Sequence, residues 1–166
     1  MAKDKTVPSP VQAPKVPWKP CYMFFYGSLM DSDVLRSILR IPSTPPMRTG
    51  SIPNFKMKMW SVYPTLVRHI SGTVKGVLYW IDDETHFETL AQYETKAYTW
   101  CFCDVKLDDN ENGNEVGVTG DVHGGEEVLK DCRVFVWAGK SDSKELEGGS
   151  FDLEHYRQHY KWRVVR

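Results

Sequence analysis

The sequence has no CxxC pair, no glycine-rich phosphate loop, no long apolar run and no surplus of either charge. Each absence removes a class of protein. With 21 basic and 22 acidic residues the formal net charge is −1, where a nucleic-acid surface usually needs a clear basic excess. No apolar run approaches the roughly 18 residues of a membrane-spanning helix, so no membrane association is expected. The opening residues lack a signal peptide's apolar core, and position 2 is Ala, not the Gly of myristoylation; a cytoplasmic location is expected. The four cysteines, Cys21, Cys101, Cys103 and Cys132, read as reduced, buried thiols. His155 and His159 share one helix face, but nothing at a telling spacing completes a metal site. Without GxGxxG or GxxxxGK[ST] there is no nucleotide signature either. No metal and no cofactor are expected.

What is present is apolar and aromatic. Hydrophobic residues make up 41% of the 166, enough for one domain with a packed core. Residues 1–20 hold five of the ten prolines and four lysines, and read as a mobile extended arm. The folded domain is expected over 21–166. Residues 22–26 are continuously apolar, as in a strand covered on both faces. Asp31 or Asp33 can cap a helix whose stripe is Val34, Leu35, Ile38 and Leu39. Residues 55–60 alternate like a half-exposed strand; 64–67 is a short apolar piece and 74–81 another strand. Thr85 with Glu88 matches a capping box for a second helix. Residues 98–107 form a long strand with Tyr98, Trp100 and Phe102 on one face and Cys101, Cys103, Val105 and Leu107 on the other. Residues 108–131 hold eight acidic residues and one lysine and read as an acidic surface loop, with a loose hairpin around 116–118. Residues 132–138 return to strand pattern, and a last helix starts at Ser150 or Asp152. Strands outnumber helices and connections are short. The fold class expected is α+β, a small mixed β-barrel with peripheral helices.

Two stretches can carry chemistry. In Phe24-Phe25-Tyr26-Gly27-Ser28-Leu29 an aromatic strand breaks at a glycine. Ser28 there lacks the second glycine of a GxSxG elbow, so a serine hydrolase is a weak reading beside a turn with a local hydrogen bond. Backbone N–H groups between a strand end and a helix start can instead grip a carboxylate or an oxyanion. In the second stretch, Glu94 follows a short helix among Tyr93, Tyr98 and Trp100. Either it is a solvated acid, or desolvation raises its pKa and makes it a base near neutral pH.

Together these stretches resemble the gamma-glutamylcyclotransferase-like superfamily, which includes plant and fungal proteins named after an avirulence-induced gene. The residues concerned are Tyr26-Gly27-Ser28-Leu29, Tyr63-Pro64-Thr65-Leu66, Val74-Lys75-Gly76-Val77-Leu78-Tyr79, Leu90 with Tyr93-Glu94 and Tyr98, and Val134-Phe135-Val136-Trp137. The resemblance implies a metal-independent enzyme that cleaves a gamma-glutamyl amide. The substrate's α-amino group attacks its own γ-carbonyl and releases 5-oxoproline and an amine. Glu94 matches the catalytic acid–base. Tyr26, Gly27, Ser28, Leu29 and Tyr98 match the substrate-binding positions. The chain departs from the pattern at Thr95, where Gly often follows the glutamate, and at Trp100, where a basic residue often stands. The alternative is a non-catalytic small-molecule-binding or regulatory module using the same pocket. A binder of an anion, however, gains nothing from a nearby carboxylate.

Overall fold

The computed structural model describes residues 11–43, 45–108 and 127–165. Six strands and three helices are described: β1 (Cys21–Phe25), α1 (Ser32–Leu39), β2 (Arg48–Trp60), β3 (Tyr63–Ile81), α2 (Glu84–Glu94), β4 (Tyr98–Leu107), β5 (Val128–Trp137), β6 (Glu147–Gly148) and α3 (Leu153–His159). The strands run in the order β3-β1-β5-β4-β2, and β2 pairs back to β3, so the sheet closes into a five-stranded barrel. β1 and β5 are parallel and the other pairs antiparallel, so the barrel is mixed. Closure leaves no free edge along most of the sheet; β6 extends it only beside Lys58 and Met59 of β2.

Alternation along each strand makes two apolar layers. One fills the barrel: Phe24, Tyr26, Ile52, Leu66, Leu78, Cys101, Val105 and Val134 meet there. The other lies between the barrel wall and the helices, where Met23, Phe25 and Phe135 pack on Leu35, Phe87 and Leu90. β1 is apolar throughout because it serves both layers. Gly76 faces Gly50 across β2 and β3, and a Cβ on Gly76 would collide with the Phe25 carbonyl oxygen. A side chain at Gly76 would therefore push β1 away from β3.

Several elements differ from the sequence expectation. The pieces expected at 64–67 and 74–81 are one continuous strand of 19 residues. The strand expected at 55–60 begins at Arg48 and passes a register shift between Pro53 and Phe55, with Asn54 at φ 70°. β5 starts at Val128 rather than 132. Helix α2 is capped by Asp83, whose carboxylate accepts from the Thr85 N–H, and not by Thr85. Asp31 caps α1 and Asp152 caps α3. The hairpin expected around 116–118 lies outside the described residues.

Residues 11–20 of the proline-rich arm form no helix or strand, yet Val11 and Trp18 already pack against the two apolar layers. That end of the arm is held to the barrel rather than free. Trp18 stacks near Phe87 and covers the guanidinium of Arg133, which is 4% exposed. Trp100 lies 3.8 Å from that guanidinium, and Phe87 and Phe102 complete a cage of aromatic faces. Cation–π attraction offsets part of the cost of burying this charge. All four cysteines are buried free thiols. No helix among the described residues is long and apolar enough to cross a membrane.

Candidate active site

At one end of the barrel a cavity of about 580 Å³ opens between the β1–α1 loop, the β2–β3 turn, the end of α2 and the C-terminal segment. Tyr26, Gly27, Ser28, Leu29, Glu94 and Tyr98 all line it. The strand ends at Phe25, and residues 28–30 form a single 3-10 turn before Asp31. The opening N–H groups of such a turn have no partner within it. Gly27 has φ −124°, so it is not needed for a left-handed angle. What requires glycine is proximity: a Cβ there would lie 2.9 Å from Pro64 Cγ.

Glu94 is the last residue of α2, at the helix end where a negative charge is disfavoured. It is half-buried, and no described residue gives its carboxylate a hydrogen bond or an ion pair. Removal from water pushes its pKa up to about 8. Its charge acts in turn on the hydroxyls of Tyr26, Tyr93 and Tyr98, which burial already drives well above their ordinary value. Thr95 follows at φ 70°, ψ 179°, a region that glycine alone occupies without strain. That is a physical reason for a glycine at this position, and here a threonine bears the strain.

The tyrosines are fixed. Tyr26 donates to the Phe135 carbonyl at 2.6 Å and Tyr98 to the Pro64 carbonyl at 2.7 Å. Each hydroxyl has spent its proton on the main chain and offers the cavity only acceptor lone pairs. Ser28 Oγ lies 2.9 Å from the Tyr93 hydroxyl, and no described histidine bonds to it, so no described base activates it as a nucleophile. Trp100, expected beside Glu94, does not line the cavity; it stacks on Arg133.

Sequence reasoning missed one wall altogether. Phe151, Tyr156, Tyr160 and Arg163 of the C-terminal segment line the cavity, as does Trp60 at the end of β2. The segment is anchored by Asp31, which accepts from Arg157 Nε at 2.7 Å and Lys161 Nζ at 3.1 Å. Lys161 also pairs with Asp33 at 2.9 Å. The signal was available in the charges: Asp31 stands just before α1 and Asp33 in its first turn, and Arg157 and Lys161 lie in the last residues of the sequence. The described residues contain no group of three or more metal-ligating side chains, and His155 and His159 stack on each other with ring centroids 4.1 Å apart.

A family model described as gamma-glutamyl cyclotransferase, AIG2-like, matches residues 23–158. AIG2-like protein D of Arabidopsis thaliana is 32% identical over 138 residues, covering 82% of this chain and 78% of that protein. A solution structure of an Arabidopsis thaliana protein superposes with a TM-score of 0.57 at 19% identity, covering 89% of this chain and 87% of that one. A yeast gamma-glutamyl cyclotransferase specific to glutathione superposes with a TM-score of 0.50 at 17% identity, covering 76% of this chain and 74% of that one. At these identities the structural likenesses concern the fold.

Proposed function

Since the chain belongs to the gamma-glutamyl cyclotransferase, AIG2-like family, we propose that it is an enzyme that closes a gamma-glutamyl amide into 5-oxoproline and releases an amine. One observation carries this reading. A carboxylate with no partner among the described residues, held near a pKa of 8, lines the same cavity as the backbone turn at residues 27–29.

The substrate's α-amino group is an ammonium at neutral pH and cannot attack. Glu94 as carboxylate takes one proton from it. A base whose pKa lies near that of an amine neither holds the proton too tightly nor gives it up too early. The oxygens of Tyr26 and Tyr98, locked as acceptors, suit the same ammonium. The freed nitrogen then bonds to the γ-carbonyl carbon, and the carbonyl π electrons move to oxygen. N–H groups of the turn at residues 27–29 would face that oxyanion or the substrate's own carboxylate. Collapse re-forms the carbonyl and breaks the bond to the departing nitrogen. Of the three ammonium protons the lactam nitrogen keeps one. Glu94 relays the other two to the departing nitrogen, which leaves as an ammonium.

Nucleophile and electrophile belong to one molecule, so the site need mainly freeze the reactive rotamer. Such tethering is worth up to roughly 7–11 kcal/mol. The reaction requires no metal or cofactor in this scheme. A cytoplasmic setting agrees with four unpaired thiols.

The test is 5-oxoproline release from a panel of gamma-glutamyl amides by wild type and by Glu94→Gln. Turnover by the wild type alone is expected. Equal background from both proteins across the panel sinks the cyclisation reading. A small molecule retained through purification without turnover would favour the binding module.

A further inference from the structure

The cavity has a deep end and a mouth. Phe24, Tyr26 and Phe135 at the deep end are almost fully buried, while Val62 and Tyr63 at the mouth are 43% and 53% exposed. Among the described residues, Arg163 is the single permanent cation lining it. Two other basic residues of the described C-terminal segment are already committed, Arg157 to Asp31 and Lys161 to Asp31 and Asp33. Arg163 has no carboxylate within ion-pair distance among the described residues. Its guanidinium lies 5.2 Å over the Tyr160 ring and 5.5 Å over the Trp162 ring. Cation–π contact with these two rings draws the exposed guanidinium toward them while leaving its N–H donors without a partner among the described residues. Asp152, the acid nearest in sequence that lines the cavity, is occupied as the α3 cap.

A substrate of the reaction proposed above has two ends. The glutamyl end must reach Glu94, at the end of α2. The amine that departs then extends toward the mouth. We infer that Arg163 is a specificity residue that receives a carboxylate carried by the departing amine, so that gamma-glutamyl amino acids or peptides are preferred over gamma-glutamyl amines without an acid group. A guanidinium can take a carboxylate through two parallel N–H···O bonds. Exposure at the mouth limits the gain, because exposed ion pairs are worth little. The apolar Val62 and Phe151, which line the same cavity, and the ring of Tyr160 next to the guanidinium suit an apolar or aromatic side chain on the same amine. This inference rests on the cyclisation reading for the direction in which the substrate lies.

Two probes differ by one carboxylate: gamma-glutamyl-phenylalanine and gamma-glutamyl-phenethylamine. Their Kd values are measured by calorimetry on the whole chain, in the Glu94→Gln background so that nothing is turned over. With Arg163 present, the acid is expected to bind roughly three- to tenfold more tightly. Arg163→Gln should close that gap by weakening the acid alone, and Arg163→Lys should restore part of it. A loss of general packing would weaken both probes equally. Equal affinities with Arg163 in place, an unchanged gap after its removal, or no binding of either probe overturns the inference. Release of 5-oxoproline from the same two compounds by the wild type reports separately on the cyclisation reading.

Discussion

Asp31 and Glu94 are both carboxylates withdrawn from water, and both sit at a helix end beside the same loop. Their surroundings treat them in opposite ways. Asp31 caps the N-terminus of α1, accepts from the N–H groups of Asp33 and Val34, and meets Arg157 and Lys161. Burial alone would raise its pKa, but these partners outweigh that effect and hold it below the ordinary value. Glu94 stands at the C-terminus of α2, where the helix dipole opposes it, and has desolvation with nothing to offset it. The first carboxylate is bound into the frame. The second is left able to gain and lose a proton near neutral pH, which is what proton transfer requires and stability does not.

The largest break in this comparison is Glu94→Gln. Glutamine keeps the shape and removes the base. 5-Oxoproline release should fall by roughly 10²–10⁴, the usual worth of a positioned general base. Circular dichroism should stay at the wild-type spectrum. A comparable loss from Asp31→Asn, with the fold intact, would mean that the roles have been assigned the wrong way round.

The pH dependence of stability sharpens the contrast, because the two groups act with opposite sign. From pH 4.5 to about 8 the folded Glu94 holds a proton that the unfolded one has lost. Stability must therefore fall with rising pH across that window, at up to about 1.4 kcal/mol per unit. Urea midpoints of Glu94→Gln should overtake the wild type as pH rises from 5 to 9. For Asp31 the folded pKa is depressed. Its contribution is present above the ordinary carboxylate pKa and is lost as pH falls through the folded value. The Asp31→Asn gap should therefore shrink only below about pH 4.

Asp31→Ala removes the cap and takes one carboxylate from both Arg157 and Lys161, which keep Glu154 and Asp33. Those cations are half-exposed and can return to water, so the cost lies below that of stranding a buried charge. A lost cap is worth about 0.5–2 kcal/mol and the broken pairs add to it; roughly 2–3 kcal/mol in chemical denaturation is expected. Asp31→Asn keeps an acceptor for the cap and should cost less. Equal losses from Ala and Asn would place the stabilisation in the ion pairs alone.

This division was only partly legible in the sequence. The apolar run of β1 and the two faces of β4 can be read directly, since alternation with period two survives in a barrel. Glu94 stood out as an acid in an aromatic setting, and its pairing with the turn at residues 27–29 came from the resemblance. β3 could not be read whole because Arg68, His69 and Ile70 are exposed and interrupt the apolar pattern; only pairing with β2 shows the strand continues. Trp100 was misplaced for a metric reason. Two residues along a strand is nearly 7 Å, enough to carry a side chain from the cavity to the Arg133 cage. The C-terminal wall has no periodic signature, since α3 buries no residue and is held by charges.

The smallest effect concerns how the two helix ends are held. The start of α1 is fixed by a capping carboxylate in an ordinary extended conformation, φ −84° and ψ 119°. The end of α2 is fixed by Thr95 at φ 70° and ψ 179°. Thr95 closes the helix through its N–H to the carbonyls of Ala91 and Gln92, and its own carbonyl takes the Tyr98 N–H. A residue held in that region costs about 1–3 kcal/mol. Thr95→Gly removes the strain and leaves every one of those backbone bonds possible. It gives up the bond from the Ala97 N–H to the threonine hydroxyl, 3.3 Å long and exposed, and adds backbone freedom to the unfolded chain. The net expectation is a gain of about 1 kcal/mol with kcat/KM within a factor of a few of wild type. If Thr95→Gly melts lower than wild type, the angle is not strained in this chain. If it melts higher but loses activity, the strained corner itself holds Glu94 in place, and the contrast with Asp31 would extend from charge to backbone.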